Sequence, residues 1–154
     1  FPGGPAIQRI AESGNPSKIN LPRPKTKHKY NYSFSGLKTA ATNFLKNIDP
    51  EDKITRADFA ASYQEAIVDS LMINFTKAVK ETGVKNISGG GGVMANSRLR
   101  EKMNILANDN NLEIFLPSPR LSTDNAAMIC VAAQNDLITN DLKENDVRLS
   151  SIIK

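Results

Sequence analysis

The chain has 154 residues, of which 40% are hydrophobic and 23% are charged, and its net charge is +4. This length fits one domain with a real core, and the composition argues against a disordered chain. No stretch approaches the roughly 20 apolar residues of a membrane span, and a single cysteine, Cys130, excludes an intrachain disulfide.

The first 42 residues are strongly basic. They hold one acid, Glu12, against seven basic residues, which are Arg9, Lys18, Arg23, Lys25, Lys27, Lys29 and Lys38. Tyr30, Tyr32 and Phe34 follow the basic cluster directly. Basic charge beside aromatic rings is typical of an RNA-binding surface. A solvated lysine-rich loop is the alternative, and composition alone does not decide between them.

The N-terminal part predicts two helices with two short strands between them. Residues 6–13 have helical periodicity, and the Gly-Asn-Pro sequence at 14–16 ends them. Residues 19–21 and 30–34 are expected to be strands, joined by a proline- and lysine-rich loop. The second helix is expected over residues 36–46.

The central helix is predicted over residues 56–82. Thr55 and Asp58 have the spacing of a capping box, with Asp in place of the usual Glu. Apolar residues recur at helical spacing after them, and Gly83 supplies the stop signal. The apolar stripe is expected to form core.

The C-terminal part predicts strand–helix alternation. Residues 85–89 and 112–116 are expected to be neighbouring strands, and an amphipathic helix over 96–108 connects them. Together with the two earlier strands, this predicts an α/β fold whose mixed sheet is flanked by helices.

The last predicted helix is apolar on nearly every side. Residues 122–124 are expected to cap it, and it is expected to run from 125 to 134. Such a helix is normally buried between layers or lobes, so Cys130 is expected to be buried too. Residues 135–154 are polar and predict a tail of low order.

A glycine run between strand and helix is the main candidate for ligand binding. Residues 88–92 read Ser-Gly-Gly-Gly-Gly, and Asn96 occupies the expected N-cap of the following helix. Glycines allow close approach to a ligand, and a helix N-terminus suits phosphate or ribose oxygens. The run is neither a P-loop nor a dinucleotide fingerprint, so a tight packing turn remains the alternative.

Two further residues, Gly4 and Asp124, are weaker candidates. Gly4, in a Pro-Gly-Gly-Pro turn, could bring a backbone N–H to a ligand. Asp124 enters an apolar helix and could present its carboxylate to a metal. Stabilisation of the helix N-terminus by the Asp124 charge is the simpler interpretation from the residues alone.

Taken together, these segments resemble the C-terminal half of the tRNA N6-adenosine threonylcarbamoyltransferase family, also called TsaD. The resemblance covers roughly residues 1–134 and rests on six segments in the family's order, which are 1–5 (FPGGP), 21–24 (LPRP), 32–39 (YSFSGLKT), 58–69 (DFAASYQEAIVD), 91–100 (GGVMANSRLR) and 122–129 (STDNAAMI).

The resemblance implies a fold, a reaction and a set of site residues. The fold would be the C-terminal lobe of an actin-like ATPase, as in Hsp70 and the sugar kinases, over residues 1–134. The reaction would move a threonylcarbamoyl group from threonylcarbamoyl-adenylate to the exocyclic amine of the adenosine beside the anticodon in tRNA. Gly4 and Asn96 match residues that contact the adenylate or ATP, and Asp124 matches a ligand of iron or zinc.

The resemblance also implies partners and a missing part. The family works in the cytoplasm with companion subunits, with possible homo- or hetero-oligomers, and with a synthase that makes the adenylate. Its other metal ligands are two histidines of an N-terminal lobe, and His28 matches neither. Since the chain starts at Phe1 without Met, we expect a fragment that is inactive alone. The alternatives are another actin-like ATPase or sugar kinase, and a non-catalytic interaction module.

Overall fold

The computed structural model describes residues 3–48 and 54–140, and this part of the chain contains five α-helices and one two-stranded sheet. No helix in it is both long enough and apolar enough to cross a membrane. The elements are α1 (Gly3–Ala11), α2 (Ser35–Asn47), α3 (Arg56–Thr82), β1 (Asn86–Ser88), a 3-10 turn (Gly92–Ala95), α4 (Ser97–Asn110), β2 (Glu113–Phe115), a second 3-10 turn (Pro119–Leu121) and α5 (Ala126–Asn140).

The central helix α3 has the ends that its sequence predicts. The Thr55 hydroxyl accepts a hydrogen bond from the Asp58 N–H at 3.0 Å, and the Asp58 carboxylate accepts one from the Thr55 N–H at 3.0 Å. This is a complete capping box. Gly83 ends the helix at φ 67°, in the left-handed region that favours glycine. The bounds predicted for this helix are confirmed.

The chain after α1 lies directly against the start of α3. The Asn15 N–H donates to the Asp58 carboxylate at 2.8 Å, and the buried Ser62 hydroxyl accepts from the Ile19 N–H at 3.1 Å. A Cβ built on Gly14 would lie only 2.0 Å from the Ala57 carbonyl oxygen. Only glycine fits this crossing without a shift of the backbone.

The two strands predicted near the N-terminus are wrong. Residues 19–21 are irregular, and residues 30–34 form hydrogen bonds with α3 instead of with another strand. Tyr30 donates to the Glu81 carboxylate, and the Asn74 amide donates to the Asn31 carbonyl at 2.7 Å. These backbone and ring polar groups are therefore satisfied by a helix instead of a neighbouring strand.

The sheet consists of β1 and β2, which pair in parallel with Ile87 opposite Ile114. The predicted neighbourhood of these strands is confirmed, and α4 connects them. The prediction of a mixed sheet is wrong for the described part of the chain. Its sheet has two parallel strands only, because the two other predicted strands do not form. The main core lies between α3, α4 and the strands, and it contains Val68, Met72, Val79, Ile87, Met94, Leu99, Met103, Leu106 and Ala107.

The final helix α5 is exposed, against expectation. Ile129 is 66% exposed and Ile138 is 72% exposed, and Cys130 is exposed as well. Burial needs a second apolar surface, and residues 3–48 and 54–140 place none against this helix. It also continues to Asn140, six residues beyond the predicted end. The rest of the predicted tail, 141–154, lies outside the described residues.

Candidate functional site

The glycine run makes the turn from β1 into α4. Gly91 has φ 84°, which favours glycine. A Cβ built on Gly89 would lie 2.8 Å from the Met94 sulfur and 3.1 Å from Leu116 Cδ2, so the chain passes very close to the core here. The turn therefore has a packing role in addition to any ligand role.

Asn96 is the N-cap of α4, as predicted. Its Oδ1 accepts a hydrogen bond from the Leu99 N–H at 2.9 Å. Its Nδ2 donates to Gln64 Oε1 on α3, also at 2.9 Å. One amide hydrogen of Asn96 remains after these two bonds, and the Gln64 amide can supply two further donors beside it.

Gly4 and Asn96 line the same cavity, although 92 positions separate them in the chain. The cavity has a volume of about 510 Å³. Its walls are largely apolar, and Gln8 and Gln64 add amide groups to the lining. Apart from neighbouring residues and the backbone of its own helix, no atom lies within 4 Å of a Cβ built on Gly4, so space is open above this residue. An apolar cleft with a few polar donors is the usual form of a small-molecule site.

Gln64 is a polar lining residue that reasoning from the sequence missed. It lies three and seven positions before Ile67 and Leu71, so it shares their face of α3, and all three line the cavity. A polar residue within an apolar helical stripe was the available signal, because such a group needs a polar partner. The amide of Asn96 is that partner.

Asp124 lies outside the lining of this cavity. Its side chain is exposed, between the second 3-10 turn and α5. Within the described residues, its carboxylate takes part in no hydrogen bond or ion pair. The cap of α5 is Asn125, whose Oδ1 accepts from the Met128 N–H at 3.1 Å. The prediction that residues 122–124 cap this helix is therefore wrong, because the helix begins one residue later than predicted.

The segment that carries Asp124 nevertheless approaches the glycine turn. A Cβ built on Gly92 would lie 3.9 Å from Thr123 Cγ2, and Gly92 also lines the 510 Å³ cavity. The residue beside Asp124 thus reaches the end of the site. Among residues 3–48 and 54–140, no group of three or more His, Cys, Asp or Glu side chains is arranged to hold a metal ion.

An ion-pair network fixes α4 to α3 beside the Gln64–Asn96 pair. Glu65 binds Arg98 at 2.8 Å and Lys102 at 2.6 Å. Asp69, one turn along α3, binds Lys102 and also Arg23 from the preceding loop. The hydrogen bond from Arg98 is the main reason that the pKa of Glu65 is lowered to about 2.

Acid is expected to weaken this network. Because the pKa of Glu65 is lower in the folded state than its ordinary 4.5, its contribution is complete above about pH 4.5 and is lost as pH falls towards 2. Glu65→Gln should cost about 1 kcal/mol at pH 7 after allowance for solvent screening. It should also flatten the fall in melting temperature between pH 5 and pH 2.

Glu113→Gln is the matched control for this acid dependence, because Glu113 is exposed and forms no ion pair within the described residues. Melting curves at stepped pH provide the measurement. An equal acid dependence in Glu65→Gln and in the unchanged chain would contradict the assignment of the network.

Comparison with known proteins gives one consistent family. The family model described as tRNA N6-adenosine threonylcarbamoyltransferase matches residues 1–131. Three curated proteins with that same name are similar to the chain. The one from Symbiobacterium thermophilum is 42% identical over 132 residues. The one from Thermosipho africanus is 43% identical over 133 residues, and the one from Endomicrobium trichonymphae is 40% identical over 149 residues.

These alignments cover most of the chain but less than half of each relative. They span 86%, 86% and 97% of the chain, in the order given above, and 39%, 40% and 44% of the relatives. The chain thus spans about two fifths of the length of the curated relatives that it matches.

Proposed function

We infer the function from one premise, which is that this chain belongs to the tRNA N6-adenosine threonylcarbamoyltransferase family. We propose that the full-length protein transfers a threonylcarbamoyl group from threonylcarbamoyl-adenylate to the exocyclic amine of the adenosine adjacent to the anticodon in tRNA. The observation that carries the proposal is the single cavity that Gly4 and Asn96 share. The chain spans about two fifths of the length of these relatives, so the activity is proposed for the full-length protein.

The proposed fold of this part is the C-terminal lobe of an actin-like ATPase. The described residues form an α/β unit in which β1, the glycine turn, α4 and β2 follow one another, with the strands in parallel. In such units, ligands bind at the carboxyl ends of the strands and at helix N-termini. The glycine turn and Asn96 occupy that position.

In the proposed binding mode, the cavity holds the adenylate by shape and by a few hydrogen bonds. Apolar walls from α3 and the 3-10 turn suit an adenine ring, and the amides of Asn96 and Gln64 suit ribose or phosphate oxygens. The backbone at Gly4 leaves room for close approach.

In the proposed reaction, the enzyme holds the donor and the acceptor in position and forms no covalent intermediate with either. The adenosine amine attacks the carbamoyl carbon, a C–N bond forms, and the C–O bond to the phosphate breaks. AMP leaves with that electron pair, and the amine loses a proton. Holding donor and acceptor in reacting geometry is the main contribution that this part of the chain can make.

The proposed role of Asp124 is to supply one ligand to a metal site. The described residues of this chain do not fit a complete site, because no group of three or more His, Cys, Asp or Glu side chains among them is arranged to hold a metal ion and transition metals are held by several protein ligands. The remaining ligands would have to come from outside the described residues. The choice between iron and zinc rests on the family alone.

The proposed setting is the cytoplasm, with tRNA as substrate and companion subunits as partners, in a homo- or hetero-oligomer. An ATPase or sugar kinase of the same fold, or a non-catalytic module, is not favoured by the family assignment. The deciding experiment gives the full-length protein threonylcarbamoyl-adenylate and tRNA. Modified adenosine is expected to form. Phosphorylation of a sugar without tRNA modification would reject the proposal.

Substitution of Asn96 is expected to weaken adenylate binding. Asn96→Ala removes the amide donor and the helix cap together, so about 0.5–2 kcal/mol of stability is lost as well. Asn96→Ser keeps an oxygen for the Leu99 N–H and should therefore keep the contribution of the helix cap to stability. Both variants are expected to weaken adenylate binding by roughly 2- to 12-fold, which is the range for one hydrogen bond.

Calorimetry on the full-length protein separates the two roles of Asn96. Gln64→Leu should lower adenylate affinity in the same way, because it removes the partner of the Asn96 amide. Wild-type affinity in Asn96→Ser would show that the residue acts only as a helix cap.

A further inference from the structure

Residues 23–38 form a segment that carries five basic side chains and no acidic one. We call it the basic loop. Arg23 is paired with Asp69, and Lys29 is paired with Glu81. Lys25, Lys27 and Lys38 are exposed and form no ion pair within the described residues. Three cations are thus available to a negatively charged partner.

The basic loop is held in a defined shape against α3. The Thr26 hydroxyl lies 2.7 Å from the His28 carbonyl oxygen and 3.0 Å from the Asn31 carbonyl oxygen, and its one hydrogen is shared between these two acceptors. The Asn74 amide of α3 donates to the same Asn31 carbonyl. Lys25 and Lys27 flank the fixed Thr26, so they project from an ordered turn, which lowers the entropy lost when a partner binds.

Two exposed aromatic rings follow the lysines. Tyr32 is 46% exposed and Phe34 is 37% exposed. Their rings are nearly parallel, with an interplanar angle of 15° and centroids 6.4 Å apart. Exposed parallel rings beside lysines are the arrangement that binds unstacked bases, because rings stack on bases while cations attract phosphates.

The basic loop also adjoins the proposed adenylate site. Tyr32, Phe34 and Lys38 line a second cavity, of about 630 Å³. This cavity and the 510 Å³ cavity of Gly4 and Asn96 share four wall residues, which are Ile67, Leu71, Val93 and Leu99. A nucleotide stacked on the aromatic rings would therefore lie next to the proposed donor.

We propose that the basic loop is the surface that binds the single-stranded anticodon loop of tRNA, with Lys25 and Lys27 on phosphates and with Tyr32 and Phe34 on bases. The identity of the RNA rests on the proposed function. The shape and charge of the surface do not depend on it. The loop guides the acceptor base towards the cavity in which the donor binds.

The test measures binding of a fluorescent anticodon stem–loop to the full-length protein at several salt concentrations. The double variant Lys25→Ala/Lys27→Ala should reduce the slope of log affinity against log salt by about 1 to 2, because two phosphate contacts are lost. Tyr32→Ala and Phe34→Ala should each weaken binding by at least about fivefold without changing that slope. Tyr32→Phe keeps the ring and should bind normally.

The matched control is Lys18→Ala/Lys46→Ala, which removes the same charge from exposed sites outside the basic loop. It should leave the slope unchanged. A duplex RNA of equal length should bind more weakly than the stem–loop. An unchanged slope in the loop variant, an equal loss in the control, or equal binding of the duplex would each overturn the proposal.

The same proteins separate this proposal from the proposed function. If the unchanged protein modifies tRNA but the loop variant binds RNA normally, the basic loop is not the RNA-binding surface, and the proposed transferase function is retained. If the loop variant loses RNA binding but the unchanged protein transfers no threonylcarbamoyl group, the RNA-binding role of the basic loop is retained and the proposed transferase function is rejected.

Discussion

Replacement of Asp124 by alanine in the full-length protein is expected to remove the bound metal and to reduce threonylcarbamoyl transfer by at least about 100-fold. Loss of groups that only support metal ligands already costs about 10- to 100-fold, so loss of a ligand should cost no less. The folded state should be little affected, because Asp124 is exposed and Asn125 provides the helix cap. Metal analysis and melting curves on the same samples provide the measurement.

Asn125 offers the matched control for Asp124. Asn125→Ala should lose about 0.5–2 kcal/mol of stability through the missing cap and should keep its metal. The 154-residue chain alone, with one histidine and one cysteine, is expected to bind iron or zinc no better than an ordinary protein with exposed carboxylates. Tight stoichiometric metal in the isolated chain would show that the site lies elsewhere.

Gly14→Ala is expected to have the largest effect on stability. The new Cβ would lie 2.0 Å from the Ala57 carbonyl oxygen and 2.7 Å from the Asp58 nitrogen. Both are backbone atoms of the first turn of α3, so a side-chain movement cannot relieve the clash. We expect a loss of about 3 kcal/mol or more, at the upper end of the range for overpacking.

Gly36→Ala is the control for this clash. A Cβ there would meet Pro24 Cγ at 3.5 Å, which is an ordinary contact, and Ala favours α2 over Gly. Chemical denaturation should therefore give equal or slightly higher stability for Gly36→Ala. A Gly14→Ala chain as stable as the original would mean that the segment after α1 and the start of α3 do not pack this closely.

Local signals predicted the parts of the fold that depend on neighbours in sequence. The capping box at Thr55 and the stop at Gly83 involve residues that are four or fewer positions apart, and both are confirmed. Residues 19–21 were mistaken for a strand because Ile19 and Leu21 are apolar. Their burial depends on packing against α3. There the hydroxyl of Ser62, which is 43 positions after Ile19, accepts a hydrogen bond from the Ile19 N–H. Apolar content alone does not distinguish this packing from a strand.

In the candidate site too, local sequence predicts the features that depend on neighbouring residues and misses those that depend on distant contacts. The N-cap position of Asn96 followed from the turn and the helix after it, and it is confirmed. The proximity of Gly4 to Asn96 could be inferred only through the family, because α1 reaches this site by packing on α3. Gln64 lies within segment 58–69, which is one of the six segments that resemble the family. Its role nevertheless depends on a hydrogen bond with Asn96, which is 32 positions further along the chain. Asp124 as a metal ligand stays a prediction.

The exposed apolar face of α5 is expected to make self-association of the chain depend on salt concentration. At low ionic strength, the net charge of +4 keeps molecules apart. At about 0.15 M salt, the range of that repulsion shrinks to roughly 8 Å, and apolar helices such as α5 can meet. Added salt is therefore expected to promote self-association while it screens any attraction to polyanions. Light scattering alongside each salt titration distinguishes a lost RNA contact from protein removed by aggregation.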